Sequence, residues 1–283
     1  MVNPTNLDNL IRLAFLEDIG DGDHTSLSTI PPDAKGKARL LVKEPGILAG
    51  VEVAERVFQL FDPSLQLSVF LKDGARIKKG DVAFEVEGKV LSILQCERLV
   101  LNFMQRLSGI ATQTCEYAAR LEGLKTKVLD TRKTTPGLRL LEKWAVKLGG
   151  GENHRIGLYD MILIKDNHID FAGGITQAVR SARAYLKAAG KEMKIEVEAR
   201  NLSDVEEILA IGGVDRIMLD NFNLENTRKA VERIAGAAET ESSGGITLES
   251  LREFAECGVD YISVGALTHQ IKSLDLSLKA VDF

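Results

Sequence analysis

The segment DTRKTTPGLRLLEKWAVKLGGGENHRIGLYDMILIKDNH, Asp130 to His168, decides how the rest of the chain is read. Seven of its residues are lysine or arginine (Arg132, Lys133, Arg139, Lys143, Lys147, Arg155, Lys165) and two are histidine, against five acids, in a chain of formal net charge −5. Such a local surplus of cations points to a specific anion. KVLD (Lys127 to Asp130) and MILI (Met161 to Ile164) read as short apolar strands, and Gly137 to Leu148 has helical periodicity. Arg132, Lys133 and Lys165 then fall just past the C-terminal ends of two strands, the edge at which parallel α/β sheets and barrels bind ligands. Leu138, Leu141, Trp144, Ala145 and Leu148 form an apolar stripe on the helix, which assigns Lys143 and Lys147 to solvent.

Downstream, further strands are expected at Lys194 to Glu198, Arg216 to Leu219, Ala237 to Glu241 and Tyr261 to Val264, at the spacing of successive βα units in a barrel. Their ends carry Glu198 with Arg200 and Asn201, Asp220 with Asn221, Ser242 to Gly245, and Gly265. The six rims are thus sorted: cations on the first two, carboxylates on the next two, glycines on the last two. SSGG (Ser242 to Gly245) and VGAL (Val264 to Leu267), read as turns opening helices, offer backbone N–H groups to a phosphate, although SSGG taken alone is equally an ordinary tight turn. Glu198 and Asp220 suit ribose hydroxyls or a Mg²⁺ carried on phosphates, with a structural ion pair as the alternative for Glu198. Arg132, Lys133, His154, Arg155 and Lys165 suit carboxylates and a pyrophosphate.

Upstream, Asn3 and Pro4 start a helix whose apolar face is Leu7, Leu10, Ile11, Ala14 and Phe15. EDIGDGDHTS (Glu17 to Ser26) reads as a structural loop, since it lacks EF-hand spacing. Strands at Ala38 to Val42, Gly46 to Ala49 and Leu65 to Leu71, a helix at Val51 to Phe61 and the Gly-punctuated Asp73 to Gly88 make a small α+β domain. A long helix follows from Ile93 to Leu121, with a break or kink expected at Gly109 and Arg106 reading as a surface arginine. SLDLSLKAV (Ser273 to Val281) alternates as a strand that returns to the N-terminal sheet. The expected domains are 1–112, joined by 271–283, and 113–270.

The whole composition narrows the class. At 283 residues and 45% hydrophobic the chain can bury a large core, and no run reaches the ~18–20 apolar residues of a membrane span. The N-terminus lacks a basic start followed by an apolar block, and Cys96, Cys115 and Cys257 form no CxxC or zinc spacing, so a reducing cytoplasm is expected. A pI near 5.6 argues against nucleic acid as the main partner. Neither a P-loop nor a GxGxxG dinucleotide fingerprint is present.

QRLSGIATQT, the long central segment extended to Ile169, IEVEARNL, IMLDNF, ESSGGIT and GVDYISVGALTH together resemble the quinolinate phosphoribosyltransferase family. The matches cover most of Gln105 to His269; the first hundred residues match in general character, chiefly through the first helix and EDIG. The resemblance implies an N-terminal α/β sandwich and an open, incomplete α/β barrel of the type II phosphoribosyltransferase kind, working as a homodimer with an active site shared between subunits. It implies a pentosyltransferase making nicotinate mononucleotide, pyrophosphate and CO₂ from quinolinate and phosphoribosyl pyrophosphate, with Mg²⁺, in NAD biosynthesis. By motif, Arg132, His154, Arg155 and Lys165 would grip quinolinate, Lys133 would serve the phosphoribosyl and pyrophosphate side, and Arg106 would cross the dimer. Lys133, Glu198 and Asp220 would be the catalytic residues, with Glu198 and Asp220 serving ribose and metal. Ser243, Gly244 and Gly265 would bind the 5-phosphate; Ser242 stands where the family carries a small residue. A transferase acting on nicotinate and a non-catalytic phosphate-binding barrel are the alternatives. The surplus of cations favours the dicarboxylate over nicotinate, and retention of both Glu198 and Asp220 favours the enzyme over the binding protein.

Overall fold

The structure, a computed structural model, describes residues 4–281; Asn3, the expected N-cap, lies outside them. In chain order the elements are α1 (Pro4–Ile19), α2 (His24–Thr29), β1 (Lys35–Val42), β2 (Gly46–Ile47), α3 (Val51–Phe61), β3 (Gln66–Val69), β4 (Arg76–Ile77), β5 (Val82–Lys89) and α4 (Val90–Arg120). There follow β6 (Lys127–Leu129), α5 (Arg139–Leu148), β7 (Ile162–Ile164), α6 (Asp166–Ala172), α7 (Ile175–Ala189), β8 (Ile195–Ala199), α8 (Leu202–Ile211) and β9 (Arg216–Asp220). The chain closes with α9 (Leu224–Ile234), β10 (Glu239–Ser243), α10 (Leu251–Ala255), β11 (Tyr261–Ser263), α11 (Ala266–His269) and β12 (Leu276–Ala280). These elements form two compact units. The first holds the described residues up to Cys115, Thr135–Gly150 and those from Leu267 on; the second holds Glu116–Thr134 and Gly151–Ala266. Residues 135–150, which the expected boundaries put with the barrel, therefore group with the first unit.

In the first unit a four-stranded sheet runs β12-β1-β5-β3. Every second side chain of β1 turns inward, so Ala38, Leu40 and Val42 are buried, and Leu40 faces Phe84 on one side and Leu278 on the other. Gly50 precedes α3 at φ 102°, and a Cβ there would sit 3.2 Å from the Met104 Cα, so glycine is required on both counts. Both Asp73 carboxylate oxygens accept from the first turn of α3, at Val51 N–H (2.8 Å) and Glu52 N–H (3.0 Å).

Gly109, Lys143 and EDIGDGDHTS depart from expectation in this unit. Helix α4 runs through Gly109 without a break: a Cβ at that position would lie 2.2 Å from the Lys272 carbonyl oxygen, so the glycine admits a neighbouring backbone rather than ending the helix. Lys143 is 1% exposed, because α5 buries the adjacent positions Leu141, Glu142 and Lys143 as well as Ala145 and Val146; Lys147 is exposed. EDIGDGDHTS is mostly helical, since α1 extends to Ile19 and Asp23 caps α2 by accepting the Ser26 N–H at 3.1 Å.

The second unit is a six-stranded sheet, β6-β11-β10-β9-β8-β7, with every pair parallel. Its end strands β6 and β7 do not pair with each other among the described residues, which leaves the barrel open. All five residues of β8 are buried, as expected where helices cover a parallel sheet. Strand β10 lies two residues later than the expected Ala237 to Glu241: the Ala237 N–H still bonds the Ile234 carbonyl at the end of α9, and pairing with β9 starts at Glu239↔Arg216 and ends at Ser243↔Asp220. Ser242 and Ser243 are therefore strand residues, and α10 begins six residues past Gly245 rather than at the SSGG turn.

Candidate active site

The C-terminal ends of β6 to β11 carry the polar rim of the second unit. Arg132 and Lys133 lie exposed in the loop after β6. Lys165 caps α6 after β7, its backbone N–H donating to His168 Nδ1 at 3.0 Å, while its half-exposed ammonium lies 3.4 Å from Glu198 Oε2. Glu198 at the end of β8 thus has the ion pair that was its structural alternative, and it also faces another carboxylate. Desolvation raises its pKa, Lys165 opposes the shift, and the Asp220 charge adds to it. Asp220 ends β9, half-buried, with Oδ2 accepting from the Asn221 side chain at 2.7 Å. Two carboxylates on adjacent parallel strands are a hard-oxygen pair of the kind a divalent cation takes.

Ser243 ends β10, and its carbonyl accepts the Asn221 N–H at 2.9 Å. Gly244 follows at φ 97°, where a Cβ would come within 2.3 Å of Asn221 Oδ1 and 2.9 Å of its backbone nitrogen. Backbone of β9 and β10 therefore approaches closely at this rim, leaving room for backbone-directed contacts to an anion. Gly265, half-buried, directly precedes α11.

Arg155 donates through Nη1 to the Met161 carbonyl at 3.3 Å. Desolvation lowers its pKa and the Arg132 guanidinium lowers it further, the signature of two cations held within each other's field. Such a pair is stabilised by an anion that neutralises both.

One layer deeper is a cluster that the sequence reading missed. His154 Nε2 lies 3.0 Å from Glu196 Oε2 and 3.4 Å from Glu241 Oε2, and both glutamates are 0% exposed. Arg216 Nη1 donates to Glu241 Oε2 at 3.1 Å, its Nη2 to Glu239 Oε2 at 3.1 Å, and its Cζ sits 4.0 Å over the Tyr261 ring. His154 Nδ1 accepts the Arg155 backbone N–H at 2.7 Å, and the His154 N–H donates to Asp130 Oδ1 at 2.9 Å. Burial alone would lower the pKa of His154, but Glu196 and Glu241 outweigh it and raise it to about 9. Desolvation, followed by the Glu241 charge, raises Glu196 to about 7. The three groups titrate together. With an N–H aimed at Nδ1, the proton they retain lies on the Nε2 side, between the ring and the carboxylates. Their donor atoms lie within 4.8 Å of one another, as in a metal site, but an Nε2 that carries a proton and a carboxylate already bonded to Arg216 suit a proton rather than an ion. The available signal was the alternation IEVEA, which puts Glu196 on the same side of β8 as Glu198.

Arg106 lies in the first unit and is not the surface residue its spacing suggests. Its Nε donates to Glu142 Oε1 (2.8 Å) and its Nη2 to Thr135 Oγ1 (2.8 Å) and the Thr268 carbonyl (3.2 Å). Glu142, 0% exposed, also accepts the Thr135 N–H at 3.1 Å. The Cys96 thiol takes no part in this chemistry: it is buried, and desolvation, with the Asp62 charge, pushes it to about 12.

Comparison with known proteins covers nearly the whole chain. Residues 110–279 match the family described as quinolinate phosphoribosyl transferase, C-terminal domain, and residues 23–108 match its N-terminal domain. The chain is 48% identical over 293 residues to the chloroplastic nicotinate-nucleotide pyrophosphorylase [carboxylating] of Arabidopsis thaliana, covering 98% of this chain and 84% of that protein. It is 47% identical over 277 residues to the probable nicotinate-nucleotide pyrophosphorylase [carboxylating] of Bacillus subtilis, covering 98% and 94%. The crystal structure of NadC from Streptococcus pyogenes superimposes with a TM-score of 0.93 at 43% identity, over 100% of this chain and 99% of that one.

Proposed function

The chain belongs to the quinolinate phosphoribosyltransferase family, and we propose that it converts quinolinate and phosphoribosyl pyrophosphate to nicotinate mononucleotide, pyrophosphate and CO₂ in NAD biosynthesis. The observation that carries the reading to this chain's own residues is the sorted rim, with Arg132 and Arg155 in each other's field, Lys165 against Glu198, and Glu198 beside Asp220. Quinolinate brings two adjacent carboxylates and its co-substrate brings several phosphate charges. Fixed cations offset their mutual repulsion. Arg132, Arg155 and Lys165, with His154 in the layer beneath them, serve the dicarboxylate: the three cations contact it and His154 supports Arg155 from below, while Lys133 serves the phosphoribosyl and pyrophosphate side.

The pyridine nitrogen attacks ribose C1 as the bond to pyrophosphate breaks, with the bonding pair leaving on oxygen. This step demands orientation and stabilisation of the leaving group more than an acid or base. The ring, now a pyridinium, accepts the electron pair released as the 2-carboxylate departs as CO₂, and the carbon takes up a proton. Ser243, Gly244 and Gly265 bound the 5-phosphate, while Glu198 and Asp220 hold the ribose hydroxyls. Mg²⁺ fits the oxygen donors of Glu198 and Asp220 and, when bound, neutralises phosphate charge. The family resemblance further supports a homodimer in which Arg106 serves the neighbouring subunit's site, and three free cysteines support a reducing compartment, the cytoplasm. No helix among the described residues is long and apolar enough to cross a membrane.

The test is turnover of quinolinate with phosphoribosyl pyrophosphate and Mg²⁺, with nicotinate in parallel, following CO₂ and the nucleotide. Equal amounts of both products from quinolinate are expected. Turnover of nicotinate alone would replace the substrate, and silence with both would leave a phosphate-binding barrel.

A further inference from the structure

We propose that the buried His154–Glu196–Glu241 cluster is a positioning device for Arg155, so that His154 acts on the substrate through its neighbour's backbone rather than by gripping it with a ring nitrogen. The inference rests on the reading that Arg155 binds quinolinate.

Both ring nitrogens of His154 are turned to this chain. Nδ1 accepts the Arg155 N–H at 2.7 Å and Nε2 lies 3.0 Å from Glu196 Oε2, with the side chain 6% exposed. A nitrogen that accepts cannot also carry a proton, so Nδ1 fixes the ring as the Nε2–H tautomer, and the carboxylates of β8 and β10 are placed to receive that hydrogen. Arg216 in turn bonds Glu241 and Glu239, and Asp130 at the end of β6 bonds the His154 N–H. Four strands, β6, β8, β9 and β10, thereby fix one peptide, the His154–Arg155 unit. What needs such anchoring is Arg155, whose guanidinium sits in the field of Arg132 and is drawn away from it unless its backbone is held. A carboxylate-supported histidine that orients another group by its second nitrogen is a familiar use of the imidazole.

Three measurements decide the matter. In ¹⁵N-labelled wild-type protein, His154 is expected to show a bare Nδ1 and a protonated Nε2, and to keep that tautomer at saturating quinolinate. A protonated Nδ1, or a ring whose protonation changes when quinolinate binds, overturns the proposal. The second measurement compares His154→Asn, whose side-chain oxygen can replace Nδ1, with His154→Gln, which reaches the carboxylates and loses that acceptor. His154→Asn is expected to keep KM for quinolinate within about threefold, and His154→Gln to raise it about tenfold, the size of one hydrogen bond, with KM for phosphoribosyl pyrophosphate unmoved in both. Equal losses in the two variants mean that the ring grips substrate directly and sink the idea. The third is hydrogen exchange at the Arg155 amide, protected in wild type and His154→Asn and unprotected in His154→Gln. It needs no substrate, so it decides the positioning role even if wild-type protein turns over no quinolinate, an outcome that removes the substrate reading instead. Should either variant fail to fold, the wild-type tautomer still decides.

Discussion

Glu196 and Glu198 stand two residues apart on β8, on the same side of one strand, and do different work. Glu198 is 6% exposed at the rim, where it faces an exposed lysine on one side and Asp220 on the other. Glu196 is 0% exposed, one layer down, and faces His154 and Glu241. A step of two residues along a strand, about 6.6 Å, separates a carboxylate available to a ligand from one committed to the interior. Depth, not residue type, divides the roles. At the rim, charge of one sign awaits charge of the other from substrate; in the layer below, the chain supplies both signs and closes the account with a proton.

The sharpest way to break this comparison is to remove a member of the deep layer. Glu241→Ala takes one of two carboxylates from the His154 Nε2–H, which keeps Glu196, and one from Arg216, and is expected to cost about 3–5 kcal/mol of stability by denaturant unfolding, as for other broken buried pairs. Retention of Glu239 by Arg216 places the loss toward the lower end. A loss under about 1 kcal/mol, the value of an exposed pair, would erase the distinction between layers.

The same layer gives stability a pH dependence. An unfolded glutamate titrates near pH ~4.3, and in the folded protein burial and the Glu241 charge raise Glu196 to about 7. The folded state then holds a proton the unfolded state releases, so this contribution is full below about pH 4.3 and is lost as pH rises toward about 7. Melting temperatures across that window should fall in wild type and change less in Glu241→Gln; parallel curves would show that the cluster does not hold the proton.

Rim substitutions act on binding. Arg155→Ala is expected to weaken quinolinate by about 1.5–3 kcal/mol, the range of hydrogen bonds to charged groups, and phosphoribosyl pyrophosphate far less. Equal losses in titrations of the two would contradict its assignment. The smallest effect belongs to Lys165→Met: its pair with Glu198 is half-exposed, so folding stability should move by no more than about 0.5 kcal/mol while quinolinate affinity drops measurably. A larger stability change would make Lys165 and Glu198 a structural pair first.

Much of this was legible in the chain. The strands of the second unit, the helix Val51–Phe61 and the polar strand ends follow from apolar runs and periodicity, which are local properties. The misreadings share one cause, that neighbours distant in sequence change what a residue type means. Gly109 looks like a helix breaker until the Lys272 carbonyl is found against it. Lys143 sits on the polar side of its helical wheel, yet α5 is covered on that side too. Arg106 reads as a surface residue until Glu142, Thr135 and Thr268 are brought to it. Strand β10 begins two residues late because its register is set by β9 rather than by its own sequence.

By itself the sequence determined the alternation of strand and helix, the sorting of charge along the rim and, through its motifs, the family. Tertiary structure alone decided which carboxylates meet which cations and at what depth. Glu196, Glu241 and His154 are 42 to 87 residues apart along the chain, and only the parallel order β10-β9-β8 brings the two glutamates into one layer. Pattern records which face of a strand a residue takes; how far that residue lies from water, and which charge answers it, depends on partners the local sequence does not name.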